Sequence, residues 1–136
     1  MASVRITNLD TAPVKEMKND RGYDRLLVDG DQAEALNIYY VNLKPGRGLG
    51  PYHFHENSEN LYVVLSGEIE AVVDGVRYHL GPRDVLFIPK GARHQTGNAG
   101  DGPAEALEVY APPRGTDSHM VEDPASVQDA EAQPVT

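Results

Sequence analysis

An all-β domain, barrel or sandwich, is what this sequence predicts, and three observations carry it. From residue 36 onward the chain breaks into short runs rich in β-branched and aromatic residues, each closed by turn residues. Asp74-Gly75 stands between Val72-Val73 and Val76-Arg77-Tyr78, the pattern of a two-residue hairpin turn that needs positive φ at both positions. No stretch of the body repeats its apolar residues with helical period over a useful length.

Taken in order, residues 1–35 are mixed and polar, with one short apolar run at Leu26-Leu27-Val28. They are expected to form an N-terminal arm with one or two short strands, packed on the outside of the barrel or on a neighbouring copy. Strands are expected over 36–43, 51–55, 60–65, 68–73, 76–80, 84–88, 94–96 and 106–110. Between them lie Lys44-Pro45-Gly46, Ser66-Gly67, Asp74-Gly75, Gly81-Pro82 and Pro89-Lys90-Gly91, the residue types that turns use. Residues 36–115 thus make the barrel. Residues 116–136 are acidic, carry no Lys, Arg or aromatic residue, and are expected to be a disordered tail. No internal repeat is present, so one barrel is expected.

At 136 residues the chain suffices for one domain that buries roughly two thirds of its unfolded surface without a disulfide or a structural metal. It has no cysteine, which removes disulfides, thiolate metal sites and cysteine nucleophiles. With no apolar run at the N-terminus, no secretory signal is expected, and a cytoplasmic location follows as the expectation. Nowhere do about 18 apolar residues run together, so no membrane partner is expected. The net charge is −9, of which −5 falls on residues 116–136. That acidity argues against nucleic acid and anionic membranes as partners.

His53-Phe54-His55 falls within one expected strand, so both imidazoles project from the same face. His94 opens a later strand after Pro89-Lys90-Gly91. Three imidazoles converging inside a barrel could hold a divalent transition metal. Against this stands the plain alternative of three unrelated histidines.

The surrounding pattern resembles the cupin superfamily. Its first motif is a glycine, His-x-His, a glutamate and a closing glycine; here stand Gly48, His53-Phe54-His55, Glu59, Asn60 and Gly67. Its second is a glycine, Pro-x-Gly, a histidine and an asparagine; here stand Gly81, Pro89-Lys90-Gly91, His94 and Asn98. The resemblance covers about residues 46–112 and implies a jelly-roll barrel of two antiparallel sheets with at least eight strands. It implies one divalent ion (Zn, Fe, Mn or Ni) held by His53, His55, His94 and either Glu59 or Asn60. Counting from Gly67 puts Asn60 at the carboxylate's place, whereas counting from His55 puts Glu59 there; the reading favours Glu59. Arg83 stands where the family carries glycine, and is expected on the barrel rim as a turn variant. Small cupins commonly pair, so a homodimer is expected.

Tyr62 and Tyr39 are the tyrosines expected to line a pocket and donate hydrogen bonds beside the metal. Gln95 is expected to point outward, His79 and His119 to be surface residues, and Glu108 to face out rather than in. The function implied is a metal-dependent enzyme acting on a small oxygenated metabolite, of isomerase, cyclase, lyase or dioxygenase type. The alternatives are a metal-containing small-molecule-binding module without turnover, or a barrel whose site is degenerate.

Overall fold

The computed structural model describes residues 4–131. Twelve strands follow one another: β1 (Val14–Glu16), β2 (Gly22–Val28), β3 (Asn37–Leu43), β4 (His53–Phe54), β5 (Glu59–Ser66), β6 (Ile69–Val73), β7 (Val76–Leu80), β8 (Val85–Ile88), β9 (His94–Asn98), β10 (Ala104–Ala111), β11 (His119–Met120) and β12 (Gln128–Asp129). The only helical element among the described residues is a 3-10 turn over Lys18–Asp20. No helix there is long and apolar enough to cross a membrane.

Two six-stranded sheets face each other in the order β1-β2-β3-β10-β5-β8 and β11-β4-β9-β6-β7-β12. Every pairing is antiparallel except that of β12 with β7. This is the jelly-roll barrel that the family resemblance implied, and it agrees with the all-β reading of the runs and turns. Asp74 (φ 47°) and Gly75 (φ 80°) make the expected tight turn between β6 and β7. The arm joins its own barrel: β1 pairs with β2, and β2 lies along β3 over Gly22–Val28.

The inner face of the first sheet can be read in rows across β3, β10 and β5. Val41, Ala106 and Val64 stand side by side in one row, and Tyr39, Glu108 and Tyr62 in the next. Strand alternation turns both rows inward. The first row, with Leu43, Ile69, Ile88 and Ala104, belongs to the buried apolar core. Burying such side chains contributes roughly 1.5–3 kcal/mol each for the larger ones, so this end of the barrel holds the fold together.

One expectation is corrected. The expected disordered tail is laid along the barrel over residues 116–131; its last residues, 132–136, lie outside the described residues. β11 pairs with β4, β12 pairs with β7, and Val121 donates its N–H to the Tyr52 carbonyl at 3.0 Å. Composition suggested disorder because the segment has few apolar side chains. Its attachment runs instead through backbone hydrogen bonds and the carboxylates of Asp117, Asp123 and Asp129, which composition does not register.

Candidate metal centre

His53 on β4 stands directly opposite His94 on β9, and His55 follows two residues after His53 on the same face. The ring centroids lie 4.3 Å (His53–His94), 4.9 Å (His53–His55) and 5.1 Å (His55–His94) apart. One ligand nitrogen from each ring falls within 4.8 Å of the others. The turn after β8 is tied to this corner, since Gly91 donates its N–H to the His55 carbonyl at 2.7 Å.

Each Nδ1 faces a backbone carbonyl: Pro51 for His53 (2.8 Å), Asp117 for His55 (2.6 Å) and Ala92 for His94 (2.8 Å). A carbonyl only accepts, so each Nδ1 carries the proton and each Nε2 keeps a lone pair. The Nε2 atoms of His55 and His94 are buried with no hydrogen-bond partner. Leaving a buried acceptor unsatisfied costs about 1–3 kcal/mol. Three oriented lone pairs, two of them without a partner, are the donor set that a transition metal requires. The residues therefore fit one ion held by His53, His55 and His94. Burial, the leading cause, lowers the pKa of all three histidines, that of His94 to about 4, so the rings are neutral ligands at pH 7.

Glu59 does not join them. Its side chain is exposed on the outer face of β5, while Asn60 is buried. The expectation that Glu59 is the acidic ligand needed a bulge that turns it inward. The bulge in this strand lies instead at Leu65, between the pairs Val64–Ala106 and Ser66–Glu105, well beyond the site. Asn60 donates through Nδ2 to the Val109 carbonyl (3.0 Å) and to Glu108 Oε2 (3.4 Å), and its Oδ1 is buried without a partner. A neutral amide oxygen thus takes the inward position that a carboxylate holds in the motif.

The other predicted residues separate in the same way. Tyr39 and Tyr62 both line a cavity of about 220 Å³ that opens beside His53. Glu108, expected to face out, lies between them and faces in, because it shares the inner face of β10 with Ala106; Tyr110 donates its hydroxyl to Glu108 Oε2 at 2.6 Å. Burial and then the Glu108 charge push the Tyr62 and Tyr110 phenols well above their usual value, so both stay protonated donors. Gln95, expected to point outward, alternates with His94 on β9 and is covered there, donating to the Gly50 carbonyl at 2.9 Å. His79 and His119 are exposed as expected. Sequence reading missed Asp24, Arg21, Arg114 and Met120, which line the same cavity from the arm and from the segment after β10.

Asp117 was missed too. Its carboxylate accepts the N–H groups of Glu56 (2.8 Å), Asn57 (2.8 Å) and Ser58 (3.2 Å), while its carbonyl takes the His55 Nδ1–H. Burial works against that carboxylate, but the amides of Asn57 and Glu56, His119 and the Ser58 amide outweigh it and hold its pKa low. The expected tail thus orients a metal-site histidine.

Residues 39–110 match the Cupin domain family. The chain is 32% identical over 79 residues to mannose-1-phosphate guanylyltransferase of Escherichia coli, a match that covers 58% of this chain and only 16% of that protein. It is 31% identical over 96 residues to the polyketide synthase CurC of Streptomyces cyaneus, covering 68% of this chain and 62% of the relative. The fold is similar to that of the polyketide cyclase RemF from Streptomyces resistomycificus, with TM-score 0.76, 22% identity, and coverage of 91% and 89% of the two chains. With matched motifs, matched span and matched fold, the chain belongs to the cupin domain family.

Proposed function

We propose that this cupin is a metal-dependent enzyme that moves a proton on a small oxygenated, polyketide-like metabolite, in a cyclisation or isomerisation. One observation carries the reading. Three imidazoles gather within ligand distance of one another, and one of them, His53, lines a cavity together with Tyr39, Glu108 and Tyr62. The similarity to proteins named polyketide synthase and polyketide cyclase supports the substrate class.

A divalent ion on three neutral imidazoles, with Asn60 as the neutral inward neighbour, would supply Lewis acidity toward a substrate carbonyl. The chain's own residues do the rest. Glu108, buried and steadied by the Tyr110 hydroxyl and the Asn60 amide, accepts the proton as a C–H bond next to a carbonyl breaks. The bonding electrons pass to the carbonyl oxygen as an enolate. Tyr39 and Tyr62, flanking Glu108, hold the substrate's oxygens by hydrogen bonds, and the apolar row of Val41 keeps water from the floor. A neutral ligand set also favours this chemistry over electron donation to oxygen.

The test is metal analysis of protein purified without an affinity tag, followed by proton NMR of deuterium exchange into the methyl group of pyruvate and the central carbon of acetylacetone. Stoichiometric metal and enzyme-dependent exchange, lost in Glu108→Gln, are the expected results. A protein that takes up no metal on reconstitution overturns the metal-dependent reading. Full metal with no exchange above the buffer rate leaves a binding module in its place.

A further inference from the structure

Two arginines converge on the cavity from parts of the chain far apart in sequence. Arg21 precedes β2 in the arm, and Arg114 follows β10. Each is half-buried, and the Nε of each is buried with no hydrogen-bond partner. Arg21 gives one N–H to the Thr96 carbonyl at 3.1 Å. Arg114 lies 5.3 Å over the Tyr110 ring and 5.9 Å over that of Tyr39, contacts that balance only part of a positive charge. Among the described residues neither guanidinium has a carboxylate at ion-pair distance.

Removing a charge from water without a partner is costly, so a pair of half-buried guanidiniums calls for an anion. The two cavity carboxylates offset this charge only from a distance, Glu108 favouring both guanidiniums and Arg114 favouring the Asp24 carboxylate, and neither pairs with an arginine. Glu108 is engaged by Tyr110 and Asn60, and no hydrogen bond joins Asp24 to either guanidinium. The backbone also makes room for Arg21. A Cβ on Gly50 would lie 2.6 Å from its Cζ and both terminal nitrogens.

We propose that the substrate carries a carboxylate and that Arg21 and Arg114 bind it. The planar fork of a guanidinium matches a carboxylate in two parallel hydrogen bonds. A singly charged planar anion also suits a small cavity that already holds Asp24 and Glu108, which would repel the higher charge of a phosphate. The placement relative to the chemistry rests on the proposed function: a carboxylate anchored here points the rest of the molecule toward His53 and Glu108.

The experiment is NMR titration of the full chain, metal-free and zinc-loaded, with acetate, pyruvate and salicylate, each against its uncharged amide, and with inorganic phosphate. At least one carboxylate is expected to bind about tenfold more tightly than its amide. In Arg21→Gln/Arg114→Gln that preference should fall to within about twofold, and zinc uptake should be unchanged. Each single Arg→Lys variant, which keeps charge but not the fork, serves if the double variant fails to fold, and should lose part of the preference. Gly50→Ala should weaken carboxylate binding severalfold with both arginines present.

No preference for any of the three carboxylates, a preference that survives the arginine replacements, or tighter binding of phosphate would overturn the proposal. In the unaltered chain, no carboxylate preference with zinc uptake intact sinks this inference and leaves the metal reading standing. Absent zinc uptake with the preference intact does the reverse.

Discussion

The two ends of the barrel interior are built from the same three strands and differ by a step of two residues. In one row Val41, Ala106 and Val64 meet; in the next Tyr39, Glu108 and Tyr62 do. The first row closes an apolar core that stabilises the fold. The second places a carboxylate, phenols and, nearby, two guanidiniums and three imidazoles where burial makes each of them costly. Stability and chemistry are thus segregated along the strand axis of one small domain. Substitutions at the two ends should therefore fail in different ways.

The largest effect is expected at the metal end. His55→Ala should lower metal affinity by about a hundredfold or more, measured by competition with a chromophoric chelator, with the fold intact by circular dichroism. Asn60→Ala should lower it less, and Glu59→Ala not at all. At the apolar end the pattern reverses. Ile69 is 1% exposed, and Ile69→Ala should cost about 3 kcal/mol in urea unfolding with metal affinity retained once folded.

Acid sharpens the comparison further. The His94 pKa is lowered to about 4 in the folded chain, so the unfolded chain binds a proton first as pH falls. Metal-free protein should therefore be at full stability above pH ~6.5 and lose about 3 kcal/mol from His94 alone by pH ~4. His53 and His55 shift in the same direction and add to the loss. Urea midpoints that do not move across that window would contradict the assignment of neutral, buried imidazoles.

A smaller change is expected from Asp117→Ala, which removes the acceptor of three backbone N–H groups but keeps the carbonyl that holds His55. It should cost about 1–2 kcal/mol of stability and roughly tenfold in metal affinity. Least of all, Arg83→Gly should stabilise by about 1 kcal/mol, because Arg83 sits at φ 76° where a side chain is strained. That gain lies on the rim, so metal affinity should not follow it.

What could be read from the sequence follows the range of the interactions. His53 and His55 were legible because a spacing of two on a strand is local geometry, and the glycine- and proline-marked turns delimited the strands that carry them. The choice between Glu59 and Asn60 was not, because it hung on where one extra residue bulges; the strand absorbs it at Leu65. Arg21 and Arg114 gave no signal, since only the closure of the barrel brings the arm and the end of β10 to the same cavity. The segment after residue 115 misled for a related reason. Its composition describes side chains in isolation, whereas its place is set by backbone groups and by Asp117, whose partners lie about 60 residues earlier.

That last contact also imposes an order of events. Synthesis runs from the N-terminus, and domains gather structure as their segments emerge. All ten strands that enclose the interior, β1 to β10, precede Asp117 in the chain. The carbonyl that fixes the His55 tautomer, and Met120 beside the cavity, therefore reach the ribosome's exit only after the barrel has its full set of walls. Until then the three histidines are in place within their walls, but the His55 ring lacks the carbonyl that orients it.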